Sequence, residues 1–329
     1  MADGIPRVRR EFARELLTSS VAALTFFGAT LVTDARAADP DRRALIVGID
    51  GIRTDALEAA RTPHIDALAE NGLYFPDMTI LPDRYAASDT VSHSSWSSML
   101  SGTWADKHGV RTNDWKYNRF TRYPHFFVRI KAALDNARTV VMSAGPDIAS
   151  NIPAGEVTHI EYLNAKKSQE AFFLRDKRLT DKAARELASG DPTAMFVYYH
   201  EPDWVGHNSR FHVDNENYIL AIENIDRHIG RLVEAISERD GHDREDWLIV
   251  VCTDHGGLNN THRMGHIYPE ITDVFLVLSG PGVDRGAKVE KPRLVDIAPT
   301  VLAHLGVPII PAWRLDGRVI GLANRRGGS

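Results

Sequence analysis

Asp254 and His255 stand together where the apolar run Trp247–Cys252 gives out, and Gly256-Gly257 follow at once. An acid beside an imidazole at the end of a buried strand is a pattern that pairs metal ligands, although alone it reads equally well as a turn closed by an Asx cap. The chain repeats the pattern. Ala44–Ile49 runs into Asp50-Gly51, and Ala194–Tyr199 runs into His200-Glu201-Pro202-Asp203, with His207 beyond. A hydroxyl, Ser92, heads the stretch that ends at Gly102, and Thr261–His266 adds the imidazoles His262 and His266. Hard carboxylate oxygen mixed with imidazole nitrogen suits Zn²⁺ or a similar first-row ion, whereas calcium asks for oxygen alone. Asp50, Ser92, Asp203, His207, Asp254 and His255, with one imidazole of the 261–266 turn, are too many for one zinc and about right for two.

The elements that must position these residues alternate in kind. Ala44–Ile49, Leu73–Ile80, Val140–Ser143, Ala194–Tyr199, Trp247–Cys252 and Val274–Leu278 have the length and β-branched content of strands, and Pro76 confines the second to a sheet edge or breaks it. Thr62-Pro63 opens a helix that stops by Gly72, and hydroxyls ahead of Trp96, Met99 and Leu100 start another that ends at Gly102. Ile219, Ile222, Ile225, Ile229, Leu232, Val233 and Ile236 recur at helical spacing in a long amphipathic helix ending near Gly241, and Val295–Leu305 forms a closing one. Strands alternating with helices predict an α/β fold with a mainly parallel central sheet covered by helices on both faces. Open sheets of that kind keep their chemistry at the carboxyl ends of the strands, where the acids fall.

Composition narrows the function. The net charge of −5 leaves no electrostatic footprint for nucleic acid. The single cysteine, Cys252, sits inside an apolar strand, which excludes an intramolecular disulfide. Arg9-Arg10, the apolar stretch Leu16–Val32 and Ala35-Arg36-Ala37 form an export signal of twin-arginine type over residues 1–37, cleaved after Ala37, that sends the protein to the periplasm or outside the cell. The stretch is too short and polar to serve as a transmembrane anchor, and no later one is apolar enough to cross a bilayer. Residues 38–324 are expected to form a single catalytic domain, and 325–329 a frayed tail.

Taken in order, Ile49-Asp50-Gly51, Thr62-Pro63-His64-Ile65-Asp66, Ser101-Gly102-Thr103-Trp104 with His108-Gly109, Glu201-Pro202-Asp203 with Gly206-His207, Thr253-Asp254-His255-Gly256 and Gly265-His266 resemble the alkaline phosphatase superfamily, and within it the type I phosphodiesterase/nucleotide pyrophosphatase branch. The resemblance implies an alkaline-phosphatase-like fold and two divalent metals, with zinc the expected ion. One metal falls to Asp203, His207 and His266, the other to Asp50, Asp254 and His255 with the nucleophile's oxygen. It places the nucleophile at Ser92, ten residues before Gly102, and a phosphoryl-holding carboxamide at Asn113.

The activity so implied is hydrolysis of a small-molecule phosphate ester through a phospho-Ser92 intermediate, with diesters or pyrophosphates favoured over monoesters because no arginine stands beside Ser92. Arg53, Arg111 and Lys116 remain candidates to fold in and reverse that preference. Ser92-His93-Ser94-Ser95 departs from the branch's Thr-Phe-Pro-Asn type, so the leaving-group pocket differs. Thr90 rivals Ser92, His262 rivals His266, and His200 reads as a supporting residue. A phosphomonoesterase, a sulfatase, a phosphonate hydrolase or a non-catalytic exported binding protein are the alternatives.

Overall fold

The computed structural model describes residues 42–151, 159–162 and 168–323. The export signal expected over residues 1–37 and the tail expected at 325–329 lie outside the described residues. Among the described residues seven strands form one sheet: β1 (Arg42–Ile49), β2 (Gly72–Thr79), β3 (Thr139–Ser143), β4 (His159–Tyr162), β5 (Ala194–Tyr199), β6 (Asp246–Thr253) and β7 (Asp273–Ser279). Their spatial order is β2-β7-β6-β1-β5-β3-β4. Pairing is parallel from β6 through β4, while β7 runs antiparallel to both β6 and β2. The sheet is thus mainly parallel, as an α/β chain requires, with one reversed strand near an edge.

Pro76 does both things open to it. It sits in the edge strand β2, and the pairing with β7 shifts register between Phe75 and Met78, where a residue without an N–H leaves the ladder.

Alternation along β5 shows how both faces are covered. Phe196 and Tyr198 point to one side, where they meet Trp96 of the helix Ser92–Ser101 at ring-centroid distances of 5.7 and 5.5 Å. Tyr199 points to the other, stacking on His228 of the helix Glu216–Ser237 at 5.6 Å, with its hydroxyl 2.8 Å from Thr180 of the helix Gln169–Ser189. Gly48 makes the first contact possible, because a Cβ there would lie 2.6 Å from the Trp96 ring. The isoleucine stripe of Glu216–Ser237 is buried core, and so is Cys252, whose thiol burial pushes toward higher pKa.

The register of the central strands aligns the site. Ile49, the last residue of β1, pairs with Tyr199 on one side and Thr253 on the other. Asp50, His200 and Asp254 therefore leave the sheet at one level, and the three strand ends form a common platform.

Candidate active site

Asp50, Asp254 and His255 are fully buried at that platform, and Ser92 joins them from the first turn of its helix. The Ser92 hydroxyl donates to Asp50 Oδ1 at 3.3 Å and lies 3.2 Å from His255 Nε2. It does not cap its helix: the N-cap position belongs to Val91, whose side chain makes no capping bond. His255 Nε2 also lies 3.3 Å from Asp50 Oδ1 and 3.4 Å from Asp254 Oδ2. These four side chains share one focus.

A second focus gathers Asp203, His207 and His262. The helix Glu201–Ser209 puts Asp203 and His207 one turn apart, with His207 Nε2 3.4 Å from Asp203 Oδ1. The third member is His262, whose Nε2 lies 3.1 Å from His207 Nε2 and 3.8 Å from Asp203 Oδ1. His266, expected in that place, is elsewhere: its ring meets the Ser88 carbonyl at 2.6 Å. Thr90 explains the exchange. Its carbonyl takes the His262 Nδ1 proton at 2.6 Å, its hydroxyl donates to the His262 carbonyl, and it accepts the Gly265 N–H at 2.9 Å. The left-handed Met264 (φ 52°) then turns the chain outward before His266. The same bonds hold the buried Thr90 hydroxyl on backbone, away from the role of rival nucleophile.

The imidazoles are prepared in one way. His255, His207 and His262 direct Nδ1 at the carbonyls of Gly256, Asn260 and Thr90 at 2.8, 2.8 and 2.6 Å. A carbonyl only accepts, so each Nδ1 carries a proton, and Nε2 is the nitrogen each ring turns toward the acids, a lone pair in the neutral form. Asp203 Oδ1 and Asp254 Oδ2 are buried with no hydrogen-bond donor among the described residues. Burial, followed by repulsion from Asp50, pushes the carboxyls of Asp203 and Asp254 above the usual range. Burial opposes ionisation of Asp50 as well, but there the bond and charge from His200, with His255 and Tyr198, prevail and hold it well below that range. Burial, then the neighbouring His255, drives His262 down to about 2, so it stays neutral. Three buried acids and three imidazole Nε2 atoms converge in two clusters of oxygen and nitrogen donors, a set that fits two divalent cations.

A cavity of about 190 Å³ opens onto the foci, lined among others by Ser92, His93, Asn113, Asp147, Tyr198 and His200. Asn113 accepts the His93 backbone N–H at 3.0 Å, and no described residue accepts from its amide nitrogen. No lysine or arginine lines this cavity among the described residues. Arg53 is spent on Asp55 and on the Phe211 carbonyl at 3.1 Å, and Lys116 lies over the Tyr117 ring.

The type I phosphodiesterase/nucleotide pyrophosphatase family matches residues 44–270. The chain belongs to this family. Its sequence is also 31% identical over 134 residues to a 2,3-bisphosphoglycerate-independent phosphoglycerate mutase of Haloarcula marismortui, covering 39% of the chain and 24% of the mutase. It is 24% identical over 279 residues to the human ectonucleotide pyrophosphatase/phosphodiesterase family member 7, covering 78% of the chain and 57% of that protein. The chain thus spans about a quarter of the mutase's length. A 2-O GAG sulfatase shares the fold at a TM-score of 0.63 and 14% identity, over 84% of this chain and 73% of that one. The fold is alkaline-phosphatase-like, mainly parallel in its sheet and shared with this sulfatase.

Besides His200, two supports of this phosphodiesterase-family site, Tyr198 and His108, were not singled out by sequence reasoning. Tyr198 donates its hydroxyl to Asp50 Oδ2, and His200 Nδ1 lies 3.2 Å from the same oxygen and 3.1 Å from the Tyr198 hydroxyl. His108, buried and lowered by that burial to about 3, ties the Ser92 helix to the loop carrying Asn113: its Nε2 is 2.9 Å from Ser98 Oγ, and its Nδ1 accepts the Val110 N–H at 3.1 Å. Tyr198 follows the alternation that puts Phe196 on the Trp96 face. That was the signal available, and it needed the face of β5 to be known.

Proposed function

We propose that this protein is a two-metal phosphoric ester hydrolase that prefers diesters and works through a phospho-Ser92 intermediate. The observation carrying the reading is the focus of Asp50, Asp254 and His255 on the Ser92 hydroxyl. Asp50, Asp254 and His255 would hold one ion, and Asp203, His207 and His262 the other. Zinc ions so held would supply Lewis acidity, favouring the ionised Ser92 hydroxyl and neutralising the phosphoryl group. Ser92 Oγ attacks phosphorus and the ester oxygen opposite it departs with a proton as the alcohol, leaving a Ser92 phosphoryl ester that still carries a diester's second arm and that water then hydrolyses to the monoester. The amide nitrogen of Asn113 and the backbone N–H of Ser92 hold the phosphoryl oxygens, while the His93 N–H positions Asn113. Tyr198 and His200 fix the Asp50 carboxylate so that its other oxygen faces Ser92.

The diester preference rests on the absence, among the described residues lining the cavity, of a lysine or arginine to balance a monoester's second charge. Residues 1–37 would export the protein to the periplasm or outside the cell. Turnover of 4-nitrophenyl phosphate against 4-nitrophenyl phenyl phosphate tests the preference. The diester is expected to lead, and a monoester lead of about a hundredfold in kcat/KM, roughly 2.7 kcal/mol in the barrier, would reverse it. Acid-quenched protein should carry phosphate on Ser92 from the monoester and a phenylphosphoryl group there from the diester.

A further inference from the structure

Beyond Asn113 lies a second cavity. It measures about 480 Å³, larger than the one over Ser92, and is lined by Ala87, Gly109, Arg111, Thr112, Asp114, Tyr117 and Arg119. The two cavities share a wall, since Asn113 lines the first while its neighbours Arg111, Thr112 and Asp114 line the second.

The loop around it is held in shape. Arg119 N–H donates to the His108 carbonyl at 2.7 Å and closes it, and Asp89 N–H donates to the Arg111 carbonyl at 2.7 Å. Gly109, left-handed at φ +84°, lets the chain fold back on itself, because a Cβ there would lie 2.1 Å from the Tyr117 carbonyl oxygen.

Charge distinguishes this place. The chain as a whole carries −5, yet residues 109–119 hold Arg111, Lys116 and Arg119 against the single acid Asp114. Asp114 is occupied with the Lys116 backbone N–H at 2.8 Å. Arg119 reaches only a backbone oxygen, that of Asp106, at 3.3 Å, and the exposed Arg111 guanidinium has no ion-pair partner among the described residues. Tyr117 is 67% exposed and presents an aromatic face beside them. Guanidinium groups with no acid to satisfy them, next to a ring and a hydroxyl, match a ligand that is anionic and planar or ring-bearing.

We propose that this cavity is a subsite for an anionic group of the substrate, a sulfonate, carboxylate or further phosphate, attached beyond the phosphoryl centre that sits at Asn113. The proposal rests on the phosphodiesterase reading above and names the class of substrate: diesters with a negatively charged second arm.

The test compares 4-nitrophenyl phenyl phosphate with its 3-sulfophenyl counterpart on the metal-loaded protein. In the wild type the anionic substrate should have the higher kcat/KM, an advantage that falls as salt is raised. Arg111→Glu should lower the ratio of anionic to neutral kcat/KM at least about tenfold, chiefly through KM, while Arg111→Lys keeps it within about threefold. An unchanged ratio in Arg111→Glu, or an equal loss on both substrates, overturns the subsite and leaves the diesterase reading standing. A second readout is independent of turnover: calorimetric binding of 1,3-benzenedisulfonate, which carries two fixed charges and chelates no divalent ion. Binding lost in Arg111→Glu by a protein that hydrolyses neither ester would sustain the subsite and sink the diesterase reading. No binding to the wild type would overturn the subsite.

Discussion

Nε2 of His207 and Nε2 of His262 face each other at 3.1 Å, and when both rings are neutral, each with its N–H on a backbone carbonyl, no proton lies between them. Two lone pairs so close repel unless a positive charge is shared by both. The pair comes from a helix and from a turn more than fifty residues later, and Thr90 is what brings the turn in.

Metal content separates the two histidines of that turn. His262→Ala should lower affinity for one of two equivalents of zinc at least about tenfold, while His266→Ala retains both. Elemental analysis after dialysis against a weak chelator reads the difference. Equal loss in both variants would remove His262 from the second focus.

The hydroxyls at 90 and 92 should fail in different ways. Ser92→Ala should abolish the phosphoenzyme and lower kcat by about a thousandfold or more, with the fold intact. Thr90→Val leaves a buried Gly265 N–H unpaired and should cost about 1–3 kcal/mol in urea denaturation. Phosphate found on residue 90 in the Ser92→Ala protein would transfer the role of nucleophile.

Asn113→Asp keeps the shape of the side chain and puts a carboxylate where the amide donors were. If those donors hold phosphoryl oxygens, kcat/KM should fall by about a hundredfold or more with little change in thermal stability. A loss under fivefold would mean that the amide does not touch the substrate.

His108 predicts an acid sensitivity. Burial lowers its pKa from 6.5 to about 3, so between those values the unfolded chain binds a proton that the folded one refuses. Its contribution is therefore intact above pH 6.5 and is lost progressively as pH falls toward 3. At pH 5 the loss is about 2 kcal/mol, and His108→Asn, which keeps an acceptor for Val110, should shrink the gap between urea stabilities at pH 7 and pH 5 by that amount. An unchanged gap would place the acid response in other groups.

Much of this was written in the chain. The strands that end at Asp50, His200 and Asp254 are runs of β-branched residues bounded by polar ones, a signal strong enough to give β5 to the residue and β1 and β6 to within two. The helix Gln169–Ser189 was not foreseen, because its apolar face is interrupted by Arg175, Asp176 and Thr180, polar residues that are themselves buried. The reversal of β7 was hidden too, since a strand's direction lies in its connection and not in its composition. His262 and His266 look alike in sequence. The choice between them lies in three bonds to Thr90, some 170 residues away, and no local pattern carries that information.

The common level of the three strand ends has a consequence for how the protein comes into being. Asp50 is synthesised early, but its neighbours on the platform come from residues 200 and 254, and β6 must insert beside β1 before the first focus exists. A growing chain therefore offers no complete pocket for an ion until most of it has left the ribosome. If the two foci take ions as proposed, their capture must follow the joining of β6 to β1.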